Sequence, residues 1–261
     1  MFPVIVCIAK LETDYIEEFV RYHLALGFKR IYIYDNEDVP LYEEFLKDYK
    51  DYLKVTHYPG NNFHKGVQYM ALDHFIKHFM HNDGITHVAH IDVDEFISLK
   101  RHETIQDFIS EFLVGDCAGI GMNWRFFGSS HLKEKSTVPN TLRFTKCGAQ
   151  ANEHIKTIFR TDCFQGFATC HDIITHNNTK VKSTSGKVIH GPHNHELTID
   201  VVQLNHYKCK TLPEFRHIRT RQRADVPGNI VEDVDGLFRF FDMNDQEDLT
   251  AFHFYSKVLQ R

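Results

Sequence analysis

The chain carries, at residues 86–96, the stretch Thr-His-Val-Ala-His-Ile-Asp-Val-Asp-Glu-Phe, in which an apolar run leads into three acids. The run predicts a buried strand over 86–93. Residues two apart in a strand share a face, so we expect Asp92 and Asp94 to point one way while Val93 points into the core. A hard divalent ion, Mg²⁺ or Mn²⁺, would relieve the repulsion between the two carboxylates. Solvated acids at a loop opening are the ordinary alternative.

Short apolar runs at 2–9, 30–34 and 53–57 have the composition of strands. Stretches with helical spacing of apolar residues separate them. This alternation indicates crossover connections, and it predicts an α/β fold with a mostly parallel central sheet flanked by helices. Ligands bind at the carboxyl ends of the strands in such sheets. Asp35 and the acids at 92–94 both fall at such ends.

Two helix starts are predicted from N-cap spacing. Asp14 with Glu17, and Thr104 with Asp107, each place an acid three residues after a capping side chain. Gly27 stands where the first of these helices would stop.

The pattern changes after residue 117. Shorter strand-like runs appear over 118–127, 142–145, 156–160 and 199–207, and the chain looks helical again over 247–259. We find no internal repeat or low-complexity linker. One two-part domain over 1–261 is therefore predicted.

Composition excludes several classes of protein. The chain has 261 residues, 42% hydrophobic and 25% charged, which is typical of a globular protein. Its net charge of −5 gives no basic field for a nucleic-acid backbone. No apolar run reaches the roughly 20 residues of a transmembrane helix. The six cysteines are widely spread and without a C-x-x-C pair, so we expect reduced, packed thiols and a cytoplasmic protein.

Ordered motifs over about residues 4–225 resemble those of glycosyltransferases with the GT-A fold, and most closely family 92 and its bacterial and viral family 2-like relatives. The motifs are Lys10 with Glu12, residues 15–23 with Gly27, residues 33–36, Asp92-Val93-Asp94-Glu95-Phe96 (D-x-D-E-F), residues 124–130 (W-x-x-F-G-S), and Asn205-His206-Tyr207 followed by a basic segment. The resemblance implies the GT-A, or nucleotide-diphospho-sugar transferase, fold with a smaller antiparallel acceptor-side part. It implies a nucleotide-binding half over 1–115 and an acceptor-side half with C-terminal helices over 116–261.

The resemblance also implies an activity. The enzyme would move a hexose or pentose from a nucleotide diphosphate, expected to be UDP, to a glycan acceptor hydroxyl with inversion. Mn²⁺ or Mg²⁺ would stabilise the leaving diphosphate. The expected partners are the nucleotide sugar and the glycan, without nucleic acid. The expected location is the cytoplasm of a bacterium or a virus-infected host cell, and peripheral membrane association stays open.

By resemblance, Asp94 would hold the metal directly, and Asp92 would contact the ribose or reach the metal through water. His206 would complete the metal site. A buried strand histidine bonded to backbone is the alternative for His206. Asp35 stands where the fold recognises uridine or ribose, and a turn-forming role is its alternative.

Further nucleotide contacts are expected from Lys65 and Gln68, at the start of the helix after the third strand. Lys208 and Arg221, downstream of His206, are available to diphosphate oxygens, with Lys210 and Arg223 among the same cations. A solvated helix face is the ordinary reason for such a charge run.

Trp124 and Phe127 are predicted as an aromatic platform for the acceptor sugar, with core packing as the alternative. The general base must be a carboxylate within hydrogen-bond reach of the acceptor hydroxyl. We list Glu153 and Asp172, although Glu196 and Asp225 are also loop acids and spacing does not separate the four.

His190, His193 and His195, with His176 and His206, suggest a zinc site. The break at 191–192 excludes helical ligation and no cysteine lies at finger spacing, so we interpret the segment as a histidine-rich loop, with His190 as an alternative metal ligand. Two other functions compete with transfer. A metal-dependent phosphohydrolase would use the same aspartates, although such enzymes usually place their first aspartates after the opening strand. A sugar-binding module without catalysis is the other alternative.

Overall fold

The computed structural model describes residues 1–60, 66–176, 178–220 and 233–260. Its strands are β1 (Pro3–Ala9), β2 (Arg30–Asp35), β3 (Leu53–His57), β4 (His87–His90), β5 (Glu95–Leu99), β6 (Cys117–Phe126), β7 (Lys146–Cys147), β8 (Ile155–Arg160), β9 (Phe164–Phe167), β10 (Ile173–Thr175), β11 (Lys180–Lys182), β12 (Val202–His206) and β13 (Gln246–Glu247). Its α-helices are α1 (Ile16–Leu26), α2 (Tyr42–Phe45), α3 (Val67–Phe75), α4 (Ile105–Phe112), α5 (Asn140–Arg143), α6 (Leu212–Ile218), α7 (Val234–Phe241) and α8 (Thr250–Leu259).

Nine of the described strands form one sheet in the order β3-β2-β1-β4-β8-β6-β12-β5, with β11 beside β6. β3, β2, β1 and β4 run parallel, as do β6, β11 and β12. β8 is antiparallel to both β4 and β6, and β5 is antiparallel to β12. Small antiparallel pairs, β9–β10 and β7–β13, lie beside the sheet. The structure confirms the predicted α/β architecture of the GT-A fold.

β1 lies inside the sheet and is covered on both faces, which explains its continuous apolar sequence. Ile5 and Cys7 belong to the hydrophobic cluster that includes residues of α1, α4 and α8. Val4 and Val6 belong to the cluster on the other face, which includes residues of α3. This alternation fixes the register of β1, since a slip by one residue would exchange the two sets.

The C-terminal end of α1 follows the prediction, whereas its start does not. Gly27 adopts a left-handed conformation with φ of 112° and its N–H bonds back into the last turn, as a C-cap glycine does. Tyr15, rather than Asp14, occupies the N-cap position, and no side chain caps the helix there. The Asp14 carboxylate instead accepts from Lys135 Nζ at 2.6 Å.

The strand predicted over 142–145 is wrong, because the short helix α5 spans Asn140–Arg143. The buried Glu18 carboxylate of α1 accepts the backbone N–H groups of Asn140 and Thr141 at 2.6 and 2.8 Å. These are donors that the first turn of a helix leaves unsatisfied. A carboxylate 122 positions away in the sequence therefore supplies the helix cap. In α4, by contrast, Thr104 accepts from the Asp107 N–H as predicted.

All six cysteines are buried free thiols. Within the described ranges, no helix combines the length and the apolar content needed to cross a bilayer.

His23 is a buried histidine that joins α1 to β5. Its Nδ1–H donates to the Phe19 carbonyl at 2.9 Å, and the Ile97 N–H donates to its Nε2 at 3.3 Å. Burial lowers the pKa of His23 to about 3. The ring is therefore neutral in the folded protein near neutral pH, whereas the unfolded chain protonates it below about pH 6.5.

We predict that His23→Gln flattens the acid dependence of stability. A histidine whose folded pKa is depressed contributes stability above its unfolded pKa and loses it as the pH falls from about 6.5 towards 3, by about 1.4 kcal/mol per pH unit. Urea unfolding at several pH values between 7 and 5 measures this slope. His253→Gln, exposed on α8, is the matched control and keeps the wild-type slope. An unchanged slope in the His23 variant would contradict the assignment.

Candidate functional site

The predicted acids lie on a turn at the carboxyl end of β4. The strand ends at His90 rather than Val93, and the Glu95 N–H donates to the Asp92 carbonyl at 2.9 Å. The Tyr207 N–H donates to the Asp94 carbonyl at 2.8 Å, which ties the turn to the end of β12. Val93 is buried as expected. The predicted strand over 86–93 is wrong at its end, because Asp92, Val93 and Asp94 lie in the turn, but both acids are partly exposed while Val93 is in the core.

A buried lysine lies against this turn. Lys156, on β8, is 1% exposed, and its Nζ lies 3.3 Å from Asp92 Oδ2 and 4.0 Å from Glu95 Oε2. Burial alone would lower the pKa of Lys156, but the Asp92 and Glu95 carboxylates raise it above its ordinary value. The protein thus places its own cation beside the aspartate pair. Sequence reasoning missed Lys156, although a lysine inside the apolar run 155–159 was a signal of a buried charge.

Lys156 keeps Asp92 ionised. Burial opposes ionisation of Asp92, but the Lys156 ammonium lowers its pKa below the ordinary value. Gln68 Nε2 donates to the other carboxylate oxygen of Asp92 at 3.0 Å, so both oxygens have protein partners. The Asp92 side chain nonetheless remains 35% exposed. An oriented, charged and partly accessible carboxylate results.

Glu95 has the opposite character. Its side chain is fully buried, and burial raises its pKa well above the ordinary value; Lys156 opposes this effect in part, while Asp92 and Asp94 add to it. Its Oε2 accepts the Asp92 N–H at 2.9 Å. Glu95 therefore stabilises the turn through its hydrogen bond to the Asp92 N–H and favours its protonated form. Asp92 carries the negative charge of the pair.

Asp94 and His206 approach each other at the same end of the sheet. In the antiparallel β12–β5 pairing His206 is opposite Glu95, and its Nε2 lies 3.6 Å from Asp94 Oδ1. That separation is too long for a good hydrogen bond. Two ligands held about 2.1 Å from one octahedral ion at right angles are about 3 Å apart, so a small shift would admit a divalent ion.

The donor chemistry of this pair also suits Mn²⁺ or Mg²⁺. Burial lowers the pKa of His206, with Asp94 opposing it in part, so the imidazole presents the neutral lone pair that ligation requires. Asp92 lies apart, since its oxygens contact Gln68 and Lys156. No three ligand atoms of the set Asp92, Asp94 and His206 lie within 4.8 Å of one another. In the described part of the chain, that criterion is met by a different set, Glu153, His154 and His193.

Trp124 borders the site, whereas Phe127 does not. The Trp124 ring lies edge-on to His206, with centroids 4.7 Å apart, and stacks on His154 at 5.3 Å. Trp124 is 8% exposed, and its Nε1 has no hydrogen-bond partner among the described residues. Phe127 is 1% exposed and packs on Tyr207. Phe127 is a core residue without an exposed ring face, which corrects its assignment to an acceptor platform.

The predicted nucleotide contacts are dispersed. Asp35 is buried, and its oxygens accept the backbone N–H groups of residues 37, 41 and 42, as the turn-forming alternative describes. Gln68 reaches Asp92 from the first turn of α3. Lys208 Nζ lies 4.3 Å from the centroid of the Phe241 ring. Lys65 and Arg221 lie outside the described residues.

The two predicted bases differ in accessibility. Glu153 is 46% exposed, and its Oε2 lies 2.9 Å from His195 Nδ1. Asp172 is buried, and its Oδ1 accepts from Thr169 Oγ1 at 2.5 Å. Each directly neighbours, in sequence, a histidine that packs on Trp124, namely His154 or His171. The catalytic role of both acids stays a prediction.

Comparisons with known proteins identify the family to which the chain belongs. The family model described as Glycosyltransferase family 92 matches residues 2–234. Similar solved structures include HddC from Yersinia pseudotuberculosis, with TM-score 0.37 and 11% identity over 68% of this chain and 84% of that one. They also include UDP-glucose pyrophosphorylase complexed with UDP-glucose, with TM-score 0.30 and 10% identity over 100% of this chain and 98% of that one. No curated protein matches the sequence.

We predict that Lys156→Met destabilises the fold by about 3 kcal/mol, because it leaves the ionised Asp92 carboxylate without the buried cation that compensates its charge. Lys182→Met is the matched control. It removes a lysine from an ion pair with Asp116, whose side chain is 68% exposed, and such pairs contribute at most about 1 kcal/mol. Urea unfolding of both variants at pH 7 gives the comparison. Equal losses would show that Lys156 is not an essential counter-charge.

Proposed function

The chain belongs to glycosyltransferase family 92, and from that premise we propose that it transfers a hexose or pentose from a UDP-sugar to a glycan hydroxyl with inversion. One observation supports a metal-dependent mechanism, whereas the donor, the transferred sugar and the inversion extend the family resemblance. Asp94 and His206 approach to 3.6 Å beside the ionised Asp92, at the carboxyl end of β4. Parallel α/β sheets bind their ligands at that end of the strands.

Asp94 and His206 would hold the divalent ion, Mn²⁺ or Mg²⁺. When bound, the ion would supply Lewis-acid stabilisation of the charge that develops on the leaving diphosphate. Asp92, held ionised by Lys156 and oriented by Gln68, would bind the ribose or a water in the metal shell.

The binding site for the nucleotide sugar would also include basic side chains and the turn after β2. Lys208, together with Lys65 and Arg221, is our proposed set of diphosphate contacts. Asp35 would act on the nucleoside through the turn that its carboxylate holds at the end of β2. These assignments extend the family resemblance to individual positions.

The acceptor would lie on the Trp124 side of the site. The indole Nε1–H is buried and lacks a partner among the described residues, so it would bind a sugar hydroxyl only after neighbouring side chains move aside. Glu153 or Asp172 would take the proton of the acceptor hydroxyl as its oxygen attacks the anomeric carbon and the bond to the diphosphate oxygen breaks. Inversion follows when the attack comes from the face opposite the leaving group.

We predict that UDP binding requires both the metal and Asp94. Calorimetry should detect UDP binding in Mn²⁺ and a loss of affinity of at least tenfold in EDTA, because the diphosphate would lose its bridging cation. Asp94→Asn should cause a similar loss, since the substitution removes the charge but keeps the shape. Asp116→Asn, at an exposed ion pair, should bind UDP like the wild type.

Three outcomes would point elsewhere. Binding of UDP that ignores both EDTA and the Asp94 substitution would contradict the proposed metal site. Hydrolysis of generic phosphoesters in Mn²⁺ would favour a phosphohydrolase. Binding of glycans without any affinity for nucleotides would favour a sugar-binding module.

We further predict that one of Glu153→Gln and Asp172→Asn lowers kcat by about 10²–10⁴, the range for loss of a general base. UDP affinity in Mn²⁺ should stay unchanged, because the base contacts the acceptor. Transfer rates are measured with the UDP-sugar that a thermal-shift screen selects. Glu196→Gln, in a loop acid bonded to Ser183 and Ser185, is the control. Full activity in both test variants would exclude both candidates.

A further inference from the structure

We propose a zinc site formed by Glu153, His154 and His193, separate from the Asp94–His206 pair. The three side chains offer ligand atoms that all lie within 4.8 Å of one another. Two imidazoles and one carboxylate are a ligand set that zinc takes in proteins, with water in the fourth position. The site would bind one Zn²⁺ per chain.

The spacing of the two imidazoles fits a shared ion. His154 Nε2 and His193 Nε2 lie 3.2 Å apart and face each other. Two nitrogens held about 2.0–2.1 Å from a tetrahedral zinc ion are separated by about 3.3 Å. The two ligand nitrogens therefore already lie at nearly the separation that joint ligation requires.

Asn152 orients the first of these ligands. Its Oδ1 accepts from His154 Nδ1 at 2.8 Å, which holds the ring proton on Nδ1 and leaves the Nε2 lone pair directed at His193. Metal-ligating histidines commonly donate their second nitrogen to an oxygen in this manner. The cluster thus has an orienting contact as well as its ligands.

Backbone pairing places the histidines together. His154 and His193 form an antiparallel bridge just before β8, flanked by hydrogen bonds from the Ile155 N–H to the Pro192 carbonyl at 3.1 Å and from the Asn194 N–H to the Glu153 carbonyl at 2.8 Å. Side chains opposite each other in such a bridge are neighbours on one face. The loop that carries His193 is therefore held against the segment that carries His154.

A buried asparagine fastens both segments to the sheet. Asn123, on β6, donates through Nδ2 to the carbonyls of Asn152 and Asn194, each at 3.0 Å. Its Oδ1 accepts from Asn194 Nδ2 at 2.7 Å. A scaffold of this kind reduces the cost of bringing the ligands together, because the backbone is ordered before an ion arrives.

Access and charge also suit an exchangeable ion. The Glu153 side chain is 46% exposed, so an ion can enter from solvent and keep a water ligand. His195 Nδ1 lies 2.9 Å from Glu153 Oε2 and would orient the carboxylate. In the zinc-bound state Glu153 is a ligand, so it could serve as a general base only in the zinc-free protein.

The test measures zinc directly, without transfer activity. The full chain, freed of metal with a chelator, is dialysed against limiting Zn²⁺, and bound zinc is measured by elemental analysis. We expect one zinc per wild-type chain, and a loss of affinity of at least tenfold in His193→Ala and in Glu153→Gln. Asn152→Ala should weaken zinc binding by about 10–100-fold, as loss of an orienting contact does.

Two controls separate this site from its neighbours. His190→Ala, a substitution in the same loop but outside the cluster, should bind zinc like the wild type. Asp94→Asn should also retain zinc, while losing Mn²⁺-dependent UDP binding if the proposed function holds. Co²⁺ replacing Zn²⁺ should give the visible spectrum of a four-coordinate ion in the wild type and not in His193→Ala.

Specific results would overturn the proposal. Zinc retained by His193→Ala and lost by Asp94→Asn would place the ion at the aspartates. No zinc bound by the folded wild type would leave the two imidazoles as a simple ring-to-ring hydrogen bond. Far-UV circular dichroism of each variant excludes loss of zinc through unfolding.

Discussion

The buried ammonium of Lys156 is the contact on which the candidate site depends. β8 runs antiparallel between β4 and β6 and brings this side chain under the turn that carries Asp92 and Glu95. The ionised Asp92 carboxylate needs this cation, because partial burial of an unpaired charge is unfavourable. The Lys156–Asp92 ion pair stabilises the turn, and the turn positions Asp94 relative to His206. The antiparallel strand β8 thus supplies the cation beside the acidic turn.

The sequence predicts features that depend on local patterns. The strands of the N-terminal half, the stop of α1 at Gly27 and the place of the acids at a strand end all follow from apolar periodicity or turn chemistry. The approach of His206 to Asp94 was accessible only through the family resemblance, because 112 positions separate the two residues in the sequence. The fold class and the position of the acids at the end of β4 could thus be predicted from the sequence.

The features that sequence reasoning missed depend on contacts between residues that are far apart in the sequence. Nothing near Asn140 shows that Glu18 will cap a helix there, and nothing near Lys156 shows that two acids will surround it. The break after His190 correctly excluded helical ligation, yet it concealed a bridge between His193 and His154 that lies 39 positions away. Phe127 illustrates the reverse error, since an aromatic residue beside a site motif packs in the core.

Trp124 gives the two candidate sites a common wall. One neighbour of its ring is His206, on the aspartate side, and another is His154, in the histidine cluster. The donor sets on the two sides differ: one combines a carboxylate with a single imidazole near further acids, which suits Mn²⁺ or Mg²⁺, and the other has two imidazoles, which suit zinc. The ligand types would therefore direct Mn²⁺ or Mg²⁺ to the aspartate site and zinc to the histidine cluster. Because an ion on His154 would fix the ring that stacks on Trp124, its effect would reach the acceptor side of the aspartate site through direct packing, without any change in the sheet.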